Sequence, residues 1–527
     1  MIFLCKKLKG IKVIHRFQTK TKWEYCMKKT IDILSLFNKE ADISQRQFSV
    51  GGIKINAYYI NCLVDGKLVA SGVFDAINKL AQKEQKMSSQ KVFKLLQSQV
   101  ISASDLKVIT SPPEIQENIF NGGIVLVVNG QSDMLAINVA GFVKRAIAEP
   151  PTSSVVRGPR EGFIEDLEVN LSMVRRRLKT PSLAVKRLTV GKRTKTRIAL
   201  CYLNGVVNPI VVQKIEEKLN SLDIDGILDS YYIEECLSQD NDKFFKRLGN
   251  SEKPDVVTAK VLEGRVAILV DGSPVVLTAP FILFEDMQSP GDYYDIPGRT
   301  SYVRFVRLIG LMFAILLPGL YVALQSYHYK ILPINFLISL LSSIEGLSFP
   351  PILEILFVLF LFEILNEASV RMPKQLGMAL SIIGALILGD TAVQAGIITP
   401  PSIVVVAISG ITLYIIPNEA SEASLLRTLF TVIGGVAGFY GMFLSFLVLS
   451  TYLASINSYN TPYMAPYGPS IATDKKDGFI KQPLKEMIYR PKSFKTYDSV
   501  RLQPSCKKIV VKQSQKNCLK EGEKRCR

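Results

Sequence analysis

The chain has 527 residues, about three domains' worth on length alone, with 48% apolar residues and a formal charge of +18. The positive surplus has an address: residues 1–30 carry nine basic side chains against Glu24, and residues 454–527 carry sixteen against six acids. Basic arms that flank apolar segments fit anionic headgroups on a cytoplasmic face, so membrane lipids are expected as partners and nucleic acid is not.

The N-terminal stretch MIFLCKKLKGIKVIHRF has its apolar run broken by lysines, so it lacks a secretory core, and residues 1–44 read as a basic extension that stays inside. The chemistry-bearing residues are sparse. Two histidines, His15 and His328, lie far apart, and the eight cysteines form no CxxC pair. No metal centre, cofactor site or Ser/His/Asp triad is expected, and the thiols are expected to be reduced.

Residues 45–149 and 195–300 read as two copies of one soluble α/β subdomain. YINCLVD at Tyr59 matches YLNGVVN at Tyr202, and VLVVNGQS at Val125 matches AILVDGSP at Ala267, at offsets of 143 and 142 residues. Two segments sharing nearly one offset indicate an internal duplication. Each copy runs from a β-rich stretch into a helix-period stretch and closes on a hairpin signal, Asn129-Gly130 or Asp271-Gly272. Neither contains a phosphate-binding glycine loop.

Residues 150–194 join the copies. Pro and Gly break the first part, and the period of Ile164, Leu167, Leu171, Val174 and Leu178 predicts a helix over Phe163 to Lys179. Glu161, Glu165, Asp166 and Glu168 stand at its start and Arg175, Arg176, Arg177 and Lys179 at its end, an order that complements the helix dipole. Arg157, Arg160, Glu161, Asp166, Arg175, Arg176 and Arg177 are therefore expected to serve an interface between subdomains or subunits. Contact of Arg175 to Arg177 with anionic lipid is the alternative.

Residues 301–455 read as a polytopic helical membrane domain. Three apolar segments, Leu308 to Leu324, Leu376 to Ile398 and Leu429 to Leu453, are long enough to cross a bilayer. Ile331 to Leu341, Ile352 to Ile364 and Ile403 to Ile416 are shorter, and four or six crossings are expected if both basic ends face the cytoplasm. Residues 456–527 follow as a basic cytoplasmic tail.

Ionisable groups at membrane depth are costly unless they face water or a partner. Glu354 and Glu363, nine residues apart, point to opposite helix faces, whereas Glu363, Glu367 and Arg371 share a stripe on which Glu367 can pair with Arg371. Asp390 stands among small residues in GALILGDTAVQAG. These five residues are the candidates for an ion pathway or gate, with a packing role for Asp390 held open beside it. Gly434 and Gly438 form a GxxxG pair that serves either intrachain packing or self-association.

Three blocks carry a resemblance: SSVVRGPREGFIEDLEVNLSMVRRRLK, LPGLYVALQSYHYKILP and FEILNEASVRMPKQLGMALSIIGALILGDTAVQAGIITPP. Over roughly residues 40 to 490 the sequence resembles the GerA-type spore germination receptor A subunits. The resemblance implies a nutrient germinant receptor in the spore inner membrane, assembled with a transporter-like B subunit and a lipoprotein C subunit. It further implies A subunits that oligomerise into a monovalent-cation channel, with no enzymatic activity. A non-conducting scaffold subunit is the alternative. The sequence departs from the family's usual pattern at Asn366 and Ser369, where an Arg and a Gly are usual, which removes a cation near Glu363 and Glu367.

Overall fold

The computed structural model describes residues 33–38, 40–82, 87–100, 106–141, 157–238, 244–344, 349–371, 389 and 391–502. The chain divides into two compact units, Met1–Ala146 with Glu168–Lys186, and Ile147–Leu167 with Arg187–Arg527.

In the first unit, strands β1 (Ser44–Val50) and β2 (Ile53–Tyr59) are followed by helices α1 (Asp75–Ala81) and α2 (Ser89–Leu95). Strand β3 (Leu106–Ile109), helix α3 (Pro112–Phe120) and strands β4 (Gly123–Val128) and β5 (Met134–Asn138) complete the series. The sheet has the order β1-β2-β4-β5-β3 with antiparallel neighbours. Side chains alternate across a strand, and β4 uses both faces. Ile124, Leu126 and Val128 pack with Val73, Ile77 and Val92, while Val125 and Val127 pack with Ile115 and Ile119. Burial on both faces is why GIVLVV is an unbroken apolar run.

Helix α4 is shorter than its apolar period predicts, spanning Leu167–Arg177. The preceding backbone has other partners: the Phe163 N–H donates to the Glu252 carbonyl (2.8 Å), and the Glu165 carbonyl accepts from Gly272 (2.8 Å) instead of Val169. The Asp271 carboxylate then accepts the Leu167 N–H at 3.3 Å, serving as a cap from a distant loop.

The second unit holds β6 (Leu183–Val190), β7 (Thr196–Leu203), α5 (Pro209–Ser221), α6 (Ser230–Leu237), β8 (Gly249–Ser251), α7 (Pro254–Leu262), β9 (Val266–Val270) and β10 (Val276–Ala279). Its sheet order, β6-β7-β9-β10-β8, repeats that of the first sheet, with helices inserted at the same places. Gly130 and Gly272 occupy matching hairpin loops with φ of 87° and 89°, a left-handed conformation that needs glycine. The α/β expectation therefore holds, built on antiparallel sheets.

Among the described residues the helices longer than one turn that follow are α8 (Pro297–Ser326), α9 (Ile334–Ile344), α10 (Pro351–Arg371), α11 (Pro400–Leu413) and α12 (Ala420–Ser455). Among the described residues two helical stretches are long and apolar enough to cross a membrane, Pro297–Ser326 and Pro417–Ser455, with mean hydropathy of 2.1 and 2.0. That is fewer than the four or six crossings expected. The segment Leu376 to Ile398 lies mostly outside the described residues.

Helices α8 and α12 approach through glycine. A Cβ at Gly434 would lie 2.4 Å from the Gly319 carbonyl oxygen, and one at Gly319 would lie 2.5 Å from that of Phe430. Gly434 thus packs within the chain, whereas Gly438 sits at a kink in α12 with φ of 62°. Beyond α12 the chain returns to the second sheet. The Phe281 N–H donates to the Ser458 hydroxyl oxygen (3.1 Å), that hydroxyl donates to the Arg247 carbonyl (2.7 Å), and the Leu283 N–H donates to the Tyr463 carbonyl (2.9 Å).

Candidate functional site

The carboxylates of α10 find partners on different parts of the chain. Glu354 is buried on α10, where its Oε1 accepts the Thr399 N–H at 2.6 Å and the Thr399 hydroxyl at 2.8 Å. Thr399 caps α11 by accepting the Ser402 N–H. The carboxylate therefore sits against the positive end of α11, where it is stabilised by two donors and the helix dipole.

Glu363, nine residues on, faces α12. It accepts from the Ser424 hydroxyl and, at 2.5 Å, from the Arg427 guanidinium. The Arg427 side chain is 0% exposed and that of Glu363 37%. Arg427 also donates to the Ser409 hydroxyl oxygen (3.3 Å) and lies 5.5 Å from the Phe362 ring centre, while the Ser409 hydroxyl donates to the Ala314 carbonyl (2.8 Å). One buried cation thus engages α10, α11 and, through Ser409, α8. Glu367 and Arg371 pair at 2.6 Å on an exposed surface, as their i, i+4 spacing predicts. Asn366 accepts a hydrogen bond from Tyr414 at 2.8 Å. Asp390 lies outside the described residues.

A second set of charges joins the sheet-bearing part of this unit to its long helices. Asp292, in the turn before α8, accepts from Arg304 (3.0 Å) and twice from Arg307 (2.7 and 2.9 Å). Arg304 continues to Asp477 at 3.0 Å and to the Gly478 carbonyl at 2.6 Å, and Lys481 donates to the Asp292 carbonyl at 2.5 Å. Lys246 bridges Asp286 (2.5 Å) and Glu419 (3.1 Å). Burial opposes the Lys246 charge, yet those two carboxylates outweigh it and raise its pKa above the ordinary lysine value. Nearby Glu234, on α6, has its pKa pushed up to about 7, chiefly by burial, with Glu422, Asp286 and Asp229 adding to the rise and Lys246 opposing it.

The connecting-segment residues divide between the units. Arg175, only 2% exposed, donates to the Ala41 carbonyl (3.0 Å) and to Asp42 (3.4 Å) in the first unit, a position closed to lipid. Its pairing is with Asp42 and not with a helix-mate carboxylate. Arg177 donates to the Met173 carbonyl at 2.9 Å. Arg157 and Arg160 are exposed, and Glu161 and Asp166 lie with them in the second unit, before α4. The sequence reading missed Arg427, Arg304, Asp292 and Lys246. Arg427 stands just ahead of the apolar run from Leu429, and Arg304 just ahead of that from Leu308, so each reads as a flanking surface charge.

With this geometry in hand, comparison with known proteins is direct. The family profile described as Bacillus/Clostridium GerA spore germination protein matches residues 32–493. "Spore germination protein KA" of Bacillus subtilis is 33% identical over 466 residues, 88% of this chain and 85% of its own. The "Uncharacterized membrane protein YfkQ" of the same organism is 37% identical over 396 residues, 75% of this chain and 77% of its own. The crystal structure of the N-terminal domain of the A subunit of the Bacillus megaterium spore germinant receptor GerK3 aligns with a TM-score of 0.37 and 29% identity. It covers 47% of this chain and 93% of that domain. The chain belongs to the GerA family of Bacillus/Clostridium spore germination proteins.

Proposed function

We propose that the protein is the A subunit of a spore nutrient germinant receptor, sited in the spore inner membrane, and that it turns nutrient sensing elsewhere in the complex into germination. Its partners in this reading are a transporter-like B subunit, a lipoprotein C subunit and further copies of itself, and the output is formation or gating of a monovalent-cation pathway. The observation that carries the reading is the buried Arg427 held by Glu363 and Ser409, together with the Lys246 and Arg304 networks that tie the second sheet and the C-terminal segment to α8 and α12. Coupling requires an element with two arrangements that both ends bias. In this reading the interlocked charge pairs between packed helices are that element.

Residues 456–463 return to Phe281 and Leu283, so the start of α8 and the end of α12 face the same side of any membrane crossed between them. An even number of crossings is part of this proposal, four or six when the segment from Leu376 and the shorter apolar segments are counted. The basic ends and both α/β subdomains then lie on the spore-core side.

Cation efflux from proteoliposomes or germinating spores tests the reading. Glu363→Gln and Asp390→Asn are expected to change flux while complex levels are maintained. Unchanged flux with a normal complex would refute it. A scaffold role is the second reading, favoured by the intrachain partners of Glu354 and Glu363, and it predicts loss of complex without any separate change in permeability.

A further inference from the structure

Helix α12 turns back on itself. Glu419, at its start, meets Lys246 at 3.1 Å, and the ring of Tyr452, near its end, lies 6.0 Å from that of Phe245, the neighbour of Lys246. A straight helix would hold positions 419 and 452 about 50 Å apart. The reversal falls at Gly438, whose φ of 62° and ψ of −157° are open only to glycine. Gly438 therefore marks the end of the helical bundle that is remote from the second sheet. Helix α9 belongs to that end. The Tyr327 hydroxyl, just past α8, lies within hydrogen-bond reach of the Gly435 and Val436 carbonyls (3.0 and 2.9 Å), and the Ile352 side chain, at the start of α10, packs against Gly435. The chain between Tyr327 and Ile352 thus leaves one place and returns to it. A crossing by α9 would need a second crossing to undo it, yet its eleven residues span about 16 Å, half of a hydrocarbon core of about 30 Å.

At about 100° per residue, the described side chains of α9 divide around the helix into three sectors. Leu340 is buried, with Leu337 and Ile344 half-buried beside it, and this sector faces the protein. Ile334, Ile338 and Leu341 are 72, 60 and 57% exposed and form an apolar stripe at i, i+4 and i+7. Asn335, Ser339 and Ser342 are exposed on the polar flank next to that stripe. Water on all open sides would leave the stripe uncovered, and lipid on all open sides would desolvate the flank. A boundary between the two phases satisfies both sectors.

We propose that α9 lies in the plane of the membrane, at the bilayer surface remote from the second sheet, and that the partner of its exposed face is the lipid interface. Ile334, Ile338 and Leu341 sit among the acyl chains just below the headgroups, and Asn335, Ser339 and Ser342 face headgroups and water. The proposal rests on the membrane location given above and adds to it the helix that floats at the far surface.

The test uses the full chain in phosphatidylcholine vesicles and tryptophan emission as a depth gauge. The one native tryptophan is removed by Trp23→Phe, and Ile338→Trp, Ser339→Trp and Phe313→Trp are made singly in that background. Phe313, 47% exposed within the apolar run of α8, is the membrane reference. Each protein is measured in lipid brominated near the headgroup end of its chains, in lipid brominated near the chain ends, and with aqueous acrylamide. The expected result is that Ile338→Trp loses more emission to the headgroup-end bromine than to the chain-end bromine, while Ser339→Trp loses more to acrylamide than Ile338→Trp does. Ile334→Trp repeats the measurement at a second position of the stripe, so that misfolding at one site does not decide the outcome. Stronger quenching of the stripe by chain-end bromine would make α9 re-entrant and overturn the proposal. So would a stripe shielded from bromine and acrylamide alike, the mark of a second copy or another protein seated on it, or equal responses from Ile338→Trp and Ser339→Trp. If Phe313→Trp itself escapes both brominated lipids, the membrane location fails first; if it is quenched and the stripe is not, the in-plane placement alone fails.

Discussion

Replacing Glu363 by Gln removes the one carboxylate that faces Arg427 among the described residues while preserving shape. Arg427 is then left fully buried with the Ser409 hydroxyl and the Phe362 ring as its remaining company. Breaking a buried pair from one side costs about 3–5 kcal/mol. Glu363 is 37% exposed and water screens part of the attraction, so the expected loss is nearer 2–3 kcal/mol. Arg427→Met should cost less, because solvent and the Ser424 hydroxyl still serve the Glu363 carboxylate. The double variant should recover about 1–2 kcal/mol of the summed losses, the signature of two groups acting as one. Denaturation from mixed micelles, followed by circular dichroism on all four proteins, measures this coupling. A value below about 0.5 kcal/mol would mean that the pair is a crossing of two independent side chains. The coupling role proposed for it would then have no basis.

Glu234 gives a pH dependence of definite sign. Its carboxyl titrates at about 7 in the fold against 4.5 for the free group, so the stability it lends is fully present below about pH 4.5 and is lost as pH rises through 7. Glu234→Gln should flatten the thermal midpoint across that window, and an unchanged slope would place the titration elsewhere. Gly434→Val forces a side chain against the Gly319 carbonyl and should destabilise the α8–α12 contact by about 1–3 kcal/mol, read as a lower midpoint. Arg175→Met removes the donors to Ala41 and Asp42 and should cost about 1–3 kcal/mol, whereas exposed Arg157→Ala should stay within about 0.5 kcal/mol. Equal effects from the two would show that the Arg175 contacts contribute nothing.

What could be read in advance depended on how local its cause was. The repeat was visible because YINCLVD and YLNGVVN mark strand ends whose neighbours recur at one spacing, and the matching sheet orders follow from the same element series. The Glu367 and Arg371 pair was legible because one helix turn sets it. The early part of the predicted α4 was not, because Glu252, Asp271 and Gly272 claim its backbone from far along the chain. Arg427 and Glu363 are 64 residues apart, and a charge at the edge of an apolar run gives no hint that a carboxylate waits on another helix. Arg175 illustrates the reverse error: a run of three arginines suggests one shared surface role, yet the helix turns the first of them into the protein interior.

The return of residues 456–463 to Phe281 and Leu283 also sets a schedule for biosynthesis. Phe281 and Tyr463 pack with ring centres 5.8 Å apart, so the chain just after β10 leaves the ribosome long before the segment that covers it. Until α12 has been made and the chain has turned back, the Phe281 ring lacks its Tyr463 neighbour. A chain that stalls or is cut before Asn457 keeps the strands of both α/β subdomains but never completes the burial of Phe281, so that last piece of the second subdomain's packing waits on the C-terminal segment.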